Sequence, residues 1–267
     1  MGAPRIGRVD GLVFEVGGDG PPLLLVHEGI GDRGSWDPHW DAFCDHFTTV
    51  RFDQRGFGES ADPAGPYALH EDALTVMRAA GFERAAVVGV SLGGAVAIEL
   101  ALEHPGAIER AVLVSTTPDG GVDPPGLVAK WEEVDRLVAR GDLDAANEIE
   151  LGIWVDGVGR GPGEEADPAV RDAVGAVNRS LLKRQSRFRH SPADLEPPAL
   201  QRLGELSELP ILVITGAFDQ PMVAEAATAI VAATGAVRVD VAAAAHLPHL
   251  EQPREFREAA LAFLAPG

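Results

Sequence analysis

Cysteine, positive charge and long apolar runs are all scarce in this chain of 267 residues. Its single cysteine, Cys44, excludes an intramolecular disulfide and is typical of a small buried side chain. No apolar run approaches the roughly 18 residues that a membrane-spanning helix needs. The first ten residues also lack the apolar segment of a secretory leader. We therefore expect a cytoplasmic protein that does not enter a membrane.

The charge balance is strongly acidic. Lysine and arginine together number 22 and aspartate and glutamate 41, so the formal net charge is −19. Such a surface repels phosphate backbones and anionic lipid headgroups, so we expect neither a nucleic-acid nor a membrane partner. The 46% of hydrophobic residues is typical of a folded chain. The abundance of alanine, glycine, arginine and aspartate is compatible with a bacterial source.

Short apolar runs alternate with helical patterns at both ends of the chain, and several runs are apolar on both faces, as in buried parallel strands. The predicted strands are 12–16, 23–26, 48–52, 85–90, 110–115, 211–215 and 237–241. The predicted helices are 70–80, 92–102, 127–139, 143–154, 168–187, 222–233 and 253–264.

The middle of the chain differs, because residues 118–209 contain helical stretches broken by proline and glycine but no strong strand pattern. Parallel strands with crossover helices, interrupted by one helical block, predict an α/β fold. We expect a mostly parallel central sheet with helices on both faces. Residues 1–117 and 210–267 form the predicted core, and residues 118–209 form an inserted helical lid.

The clearest chemical signal is the sequence Gly-Val-Ser-Leu-Gly at residues 89–93, between a predicted strand and a predicted helix. Small residues let a strand and a helix approach closely at such a turn, and the turn exposes the serine hydroxyl. The N-terminus of the following helix then directs its free N–H groups towards the reaction centre. A tight turn that merely exposes a serine is the structural alternative. The context favours Ser91 as a nucleophile.

A serine hydroxyl needs a base and an acid that orients the base. Asp219 follows the predicted strand 211–215, and His246 follows the strand 237–241 after a short alanine run. Each residue alone could be a turn or surface residue. However, all three lie beyond the carboxyl ends of strands, where open α/β sheets collect their sites. The order Ser91, Asp219, His246 therefore predicts a catalytic triad.

The loop at residues 27–31, His-Glu-Gly-Ile-Gly, follows the buried strand 23–26. A glycine-rich backbone there can direct N–H groups at an oxyanion, and the Leu92 N–H offers a second donor. We expect His27 to brace this loop rather than to act as a base.

Taken together, these motifs resemble the α/β-hydrolase fold superfamily, in its lidded serine esterase and lactonase-like branch. The resemblance rests on residues 27–31, 52–60, 88–94, 216–219 and 246–253. It implies a triad of Ser91, Asp219 and His246. It further implies that Gly29 and Leu92 supply the N–H groups of the oxyanion hole.

Two departures from the usual family pattern stand out. Glu28 follows His27 where the family often has glycine. A carboxylate directed inward would oppose the oxyanion, so we expect Glu28 to point away. The base loop contains alanines where glycines are commoner, which changes flexibility more than chemistry.

Other sequence features are less specific. His249 could suggest a metal pair with His246, but Pro248 interrupts any shared helix face, so we expect no metal and interpret His249 as structural or rim. The glycine-rich segment 157–163 lacks a preceding strand and is interpreted as a flexible lid loop. Trp131 and Trp154 lie on predicted lid helices as candidate pocket residues.

We therefore predict a serine hydrolase that cleaves an ester, lactone or related acyl bond of a small, mostly uncharged molecule through an acyl-enzyme, without a cofactor. Hydrolysis of a carbon–carbon bond in a diketone-type ring-cleavage product is the enzymatic alternative. A non-catalytic ligand-binding member of the fold is the alternative from another class. The sequence leaves the choice between a monomer and a homodimer open.

Overall fold

The computed structural model of the chain describes residues 4–265, so residues 1–3 and 266–267, at the two ends of the predicted core, lie outside it. Eight strands of this range form one sheet. They are β1 (Arg5–Val9), β2 (Leu12–Gly17), β3 (Pro22–Val26), β4 (Thr48–Asp53), β5 (Ala85–Val90), β6 (Ile108–Val114), β7 (Ile211–Gly216) and β8 (Val237–Val241). Their order across the sheet is β1-β2-β4-β3-β5-β6-β7-β8.

Helices connect most of the strands. They are α1 (Asp37–Cys44), α2 (Leu69–Ala79), α3 (Leu92–Glu103), α4 (Pro125–Arg140), α5 (Leu143–Trp154), α6 (Pro168–Gln185), α7 (Ala199–Arg202), α8 (Pro221–Thr234), α9 (Pro248–Glu251) and α10 (Pro253–Leu264). Short 3-10 helices add Arg33–Trp36 and Leu203–Leu206. Within residues 4–265, no helix combines the length and the apolarity that crossing a membrane requires.

The sheet is parallel from β4 to β8, whereas β2 pairs antiparallel with both β1 and β4. Side chains of a strand alternate between its faces. In β3, Leu24 and Val26 join a core cluster with α2, α3 and α8, and Leu23 and Leu25 join a second cluster with α1 and α10. Each fully buried leucine of this kind contributes about 2 kcal/mol. The expected α/β fold, with helices on both faces of a mostly parallel sheet, is confirmed.

All predicted strands and helices are present, with ends shifted by at most two residues. Within residues 4–265, the helices α7 and α9 and the two 3-10 helices, of four residues each, were not predicted, and neither were two longer elements, β1 and α1. The edge strand β1 is largely exposed and alternates charged with apolar residues, which weakens its strand signal. Helix α1 has only eight residues and two aspartates, so its apolar periodicity is short.

Helices α4 to α7 all lie between β6 and β7, the position predicted for an inserted helical block. Leu151 and Val155 near the end of α5, with Val174 of α6, pack into the core cluster that α1 and α10 cover. Helices α5 and α6 are therefore anchored to the core by apolar contacts.

Candidate active site

Ser91 occupies the turn between β5 and α3. Its backbone has φ 51° and ψ −115°, a conformation that costs a non-glycine residue about 1–3 kcal/mol. The Ser91 N–H donates to the Val114 carbonyl at 2.8 Å, which ties the turn to the end of β6. The serine is thus held in strained backbone at the tip of a strand, as the sequence predicts for a nucleophile turn.

The glycines around Ser91 are required by close backbone approach. A Cβ atom on Gly93 would lie 2.2 Å from the Val26 carbonyl oxygen, and one on Gly89 would lie 2.3 Å from the Gly93 carbonyl oxygen. Side chains at these positions would push α3 away from β3 and β5. Glycine therefore allows the start of α3 to lie against the sheet beside Ser91.

Ser91, His246 and Asp219 form one line of hydrogen bonds. The Ser91 hydroxyl lies 2.8 Å from Nε2 of His246. Nδ1 of His246 lies 2.9 Å and 3.0 Å from the two carboxylate oxygens of Asp219. Because a carboxylate only accepts, Nδ1 carries the proton and Nε2 is free to accept the proton of the serine hydroxyl. The structure brings the three predicted residues together in a geometry suited to nucleophilic catalysis.

The loops that carry the acid and the base are joined to each other. The Phe218 N–H donates to the Ala244 carbonyl at 3.0 Å, and a Cβ on Gly216 would lie 1.9 Å from the Ala245 carbonyl oxygen. Asp219 also accepts the Gln220 N–H at 2.7 Å. Backbone contacts therefore set the position of the acid relative to the base.

Glu251 is a supporting residue that sequence reasoning missed. Its Oε1 accepts the Ala245 N–H at 2.8 Å and the Leu247 N–H at 3.4 Å, one on each side of His246. Its Oε2 pairs with Arg160, and both side chains are largely buried. Burial raises the pKa of the Glu251 carboxyl, against the opposing effects of the backbone hydrogen bond from Ala245 and the charge of Arg160.

Arg160 belongs to the glycine-rich segment 157–163, which was interpreted as a flexible lid loop. The contacts contradict that interpretation, because Arg160 pairs with Glu251 and its guanidinium lies 4.9 Å from the centre of the Phe218 ring. The Val158 N–H also donates to the Phe218 carbonyl at 2.7 Å. The segment therefore holds the acid loop and the base loop together. Its signal in the sequence, an arginine among glycines, identifies no partner.

The expected oxyanion donors lie beside the nucleophile. A Cβ on Gly29 would lie 3.8 Å from the side chain of Leu92, so the two residues face each other across a small gap. Leu92 is the first residue of α3, where backbone N–H groups have no partner within the helix. His27 braces this loop, as predicted. Its Nδ1–H donates to the Glu28 carbonyl at 2.7 Å and its Nε2 accepts the Gln54 N–H at 3.1 Å.

Glu28 is directed into the core. Its Oε2 accepts from the Ser35 hydroxyl at 3.2 Å and lies 3.5 Å from Nε2 of His249. Burial alone would raise the pKa of Glu28, but the contact with His249 holds that pKa below its usual value. The carboxylate is thus charged and is oriented towards His249, in agreement with the expectation that it points away from the oxyanion.

Trp131 of α4 and Trp154 of α5 lie at different depths. The ring of Trp154 is 4.4 Å from the ring of His246, measured between centroids, and the Trp154 carbonyl accepts the His246 N–H at 3.3 Å. Trp131 stacks on Trp154 at 6.3 Å. The Trp154 indole N–H donates to Glu150 at 2.9 Å, and burial raises the pKa of that carboxyl. Trp154 therefore contacts the base directly, and Trp131 lies one layer further out.

His249 is completely buried, so of the two sequence interpretations the structural one applies and the rim position does not. Its ring packs against Trp36 with the centroids 5.5 Å apart. Within residues 4–265, no group of three or more histidine, cysteine, aspartate or glutamate side chains is arranged to hold a metal ion.

A cavity of about 390 Å³ reaches the residue that follows the nucleophile. Leu92 forms part of its wall, and most of the remaining apolar wall is aromatic, from Phe57, Tyr67 and Phe188. Arg189 and His190 line its outer part and are exposed. The cavity places an apolar surface next to one of the expected oxyanion donors.

Comparisons with known proteins agree with this fold. Residues 21–151 match the family described as alpha/beta hydrolase fold. A hydrolase from Pseudomonas aeruginosa PA01 is 30% identical, and its crystal structure superposes over 99% of each chain with a TM-score of 0.78. The chain belongs to the α/β-hydrolase fold family. The resemblance inferred from the loop motifs is thereby confirmed at the level of the family.

Other relatives in this family carry several names. RutD of Caulobacter sp. (strain K31), described as a candidate carbamate hydrolase, is 39% identical over 118 residues, which are 41% of this chain and 44% of the relative. The match therefore spans less than half of that curated relative. The enol-lactonase from Burkholderia xenovorans LB400 superposes over 97% of this chain and 99% of its own with a TM-score of 0.77, at 23% identity. These names agree with the expectation of a hydrolytic enzyme.

Proposed function

We propose that this chain is a serine hydrolase in which Ser91 attacks the acyl carbon of a small ester or lactone. The observation that carries the proposal is the hydrogen-bonded line from Asp219 through His246 to Ser91, with 2.8 Å between the hydroxyl and Nε2. That line can remove the hydroxyl proton as the oxygen attacks. Strained backbone at Ser91 supports the same role.

In the first half of the reaction, Nε2 of His246 takes the Ser91 proton while Oγ bonds to the carbonyl carbon. The carbonyl oxygen becomes an oxyanion, which the N–H groups of Gly29 and Leu92 stabilise. The imidazolium, balanced by Asp219, then gives its proton to the leaving alcohol oxygen as the carbon–oxygen bond breaks. An acyl-enzyme on Ser91 remains.

In the second half, His246 takes a proton from water, and the resulting nucleophile attacks the acyl carbon. The tetrahedral species collapses, Ser91 recovers its proton from His246, and the carboxylic acid leaves. For a lactone, the alcohol and the acid belong to one product. Every proton is supplied by water or by the triad, so the reaction needs no cofactor.

The substrate is proposed to bind under residues 118–209, which act as a lid. Trp154 from α5 packs against the ring of His246, and the cavity of about 390 Å³ beside Leu92 has apolar and aromatic walls formed by Phe57, Leu69 and Phe188. Such walls favour a small or medium-sized, mostly uncharged acyl group. Trp131 supports Trp154 from outside.

The proposal is tested by steady-state kinetics on p-nitrophenyl esters, lactones and diketones of the ring-cleavage type, with Ser91→Ala as the matched variant. We expect turnover of esters or lactones that the variant loses. Turnover of diketones alone would replace the proposal with carbon–carbon bond hydrolysis. Binding of these compounds without turnover by the folded native protein would indicate a ligand-binding member of the fold.

A further inference from the structure

A group of buried polar side chains lies behind the oxyanion loop. We call Glu28, Trp36, His39 and His249 the buried polar cluster; each is at most 1% exposed. Its members come from separate parts of the chain: the loop after β3, the 3-10 turn that follows, α1 and α9. The rings of His39 and Trp36 lie 6.3 Å and 5.5 Å from the ring of His249.

The cluster holds most of the polar atoms that lack a hydrogen bond within the protein. Among residues 4–265, eight buried side-chain nitrogen and oxygen atoms have no such partner, and five of them belong to the cluster. They are Glu28 Oε1, Trp36 Nε1, His39 Nδ1 and both ring nitrogens of His249. Each such atom costs about 1–3 kcal/mol. An apolar core of the same volume would be more stable, so stability alone does not account for these residues.

The position of the buried polar cluster suggests a role other than stabilising the fold. Glu28 immediately precedes Gly29, the proposed oxyanion donor, and its carbonyl is held by His27. His249 lies one turn beyond His246 in the base loop, and its carbonyl accepts the Nε2–H of His39 at 2.8 Å. The 3.5 Å contact between Glu28 and His249 therefore joins the oxyanion loop to the base loop.

His39, which bonds the His249 backbone, is neutral, whereas Glu28 is charged. Burial lowers the pKa of His39 to about 3, so its ring is neutral. The Nε2–H of this ring donates to the His249 carbonyl and so holds the His249 backbone in place. Glu28 remains charged beside His249 because the attraction of that ring outweighs the penalty of burial. The contact lies in the buried core, where charges are screened little by solvent, and it ties Glu28 of the oxyanion loop to His249 of the base loop.

We infer that Glu28 and His249 form a positioning pair that sets the distance between the Gly29 N–H and His246 across Ser91. This inference rests on the proposed function. Neither residue touches the reacting atoms. They act by keeping the oxyanion donor and the base in register, a geometry on which transition-state stabilisation depends.

The inference is tested with Glu28→Gln, Glu28→Asp, His249→Gln and the double variant Glu28→Gln/His249→Gln. Glu15→Gln is the matched control, since it removes a largely buried carboxylate charge, paired with Arg33 and Arg51, outside the site. Folded active sites are counted by fluorophosphonate titration, so that unfolded protein lowers the titre and leaves the kcat per site unaffected. The substrate is the best ester found for the native protein.

We expect each single Gln variant to lower kcat by about 10- to 100-fold, somewhat less than the outright loss of an oxyanion donor, with KM changed by less than about threefold. Affinity for a trifluoromethyl ketone, whose adduct with serine carries an oxyanion, should fall by the same factor. The double variant should be no worse than the poorer single one, because the two residues act as a unit. Glu28→Asp, which keeps the charge, should recover part of the loss.

A native kcat per titrated site in both single variants, or additive losses in the double variant, would overturn the positioning role. A native protein that neither reacts with fluorophosphonate nor turns over any ester would instead overturn the proposed serine hydrolase. The two failures are therefore distinguishable.

Discussion

The two sides of Ser91 are supported in different ways. On the base side, Glu251 bonds the backbone on both sides of His246 and pairs with Arg160, so both of its carboxylate oxygens have partners. On the oxyanion side, Glu28 is also buried, yet its Oε1 has no hydrogen-bond partner, and neither ring nitrogen of His249 makes a hydrogen bond within the protein.

This difference predicts that the two sides of Ser91 contribute differently to stability and to catalysis. A buried carboxylate with all its hydrogen bonds made strengthens the fold that carries the base. A buried carboxylate with unmade hydrogen bonds costs free energy, and such a departure from local rules is typical of functional sites. We therefore expect changes on the base side to act on both the free energy of unfolding and the rate, and changes on the oxyanion side to act mainly on the rate.

The largest effect on kcat is expected at Asp219, the residue that orients the catalytic histidine. Asp219→Asn should lower kcat by about 10⁴-fold, because an amide can donate to Nδ1 and so stabilises the wrong tautomer of His246. The fold should persist, which circular dichroism will show. Asp240→Asn, at an aspartate on β8 outside the site, is the control and should retain native kcat. A loss of less than tenfold in Asp219→Asn would remove Asp219 from the triad.

Next in size is the ion pair between the glycine-rich segment and the base loop. Arg160→Met should lower the free energy of unfolding by about 3–5 kcal/mol, because it leaves the buried Glu251 carboxylate without its cation. Arg171→Met is the matched control, since its partners Glu148 and Asp156 are 62% and 42% exposed. It should cost less than about 1 kcal/mol in urea unfolding. Equal losses would mean that the segment does not support the base side.

A smaller effect is expected for alanine at the two glycines beside Leu92, and the two variants should differ from each other. Gly93→Ala places a methyl group 2.2 Å from the Val26 carbonyl oxygen and should cost about 1–3 kcal/mol of stability together with activity. Gly29→Ala meets only the Leu92 side chain at 3.8 Å. Its backbone N–H is kept, so kcat should change by less than about threefold. A large loss of kcat in Gly29→Ala would mean that the space beside the Gly29 Cα matters for activity, and not only the Gly29 N–H.

The smallest effect concerns the pH dependence of stability, which should have opposite signs for the two glutamates. The pKa of Glu28 is lowered on folding, so its contribution is present above the ordinary value of 4.5 and is lost as the pH falls through the folded value. The pKa of Glu251 is raised by burial, so its contribution weakens as the pH rises above 4.5.

Urea unfolding of the native chain, Glu28→Gln and Glu251→Gln between pH 3 and 7 checks these signs, this range being about that over which carboxyl groups titrate. On acidification, the free energy of unfolding of the native protein should fall relative to that of Glu28→Gln. It should rise relative to that of Glu251→Gln. Parallel pH curves would contradict the contrast between the two sides.

Much of the fold could be predicted from the sequence, because the patterns that indicate strands and helices are local. The bounds of β5, α5, β8 and α10 follow from apolar runs and from proline and glycine at their ends. The strand ends also placed Ser91, Asp219 and His246 at one edge of the sheet, where the structure brings them into contact.

The supporting contacts could not be predicted, because each joins residues that are distant in the sequence. Arg160 meets Glu251, and Glu28 meets His249, across long stretches of the chain that only the complete fold brings together. A glutamate in a glycine-rich loop and an arginine among glycines carry no local pattern that names a partner. The edge strand β1 was missed for a different reason, since its exposed charged residues hide its pairing with β2.

The most direct test of the central claim is the site at which a fluorophosphonate probe reacts. Native protein and Ser91→Ala are treated with the probe at neutral pH, digested, and mapped by mass spectrometry. We predict one adduct per chain on Ser91, formed by the native protein and absent from the folded variant. A folded native protein without an adduct, or an adduct on another residue that persists in Ser91→Ala, would contradict the assignment of Ser91 as the nucleophile.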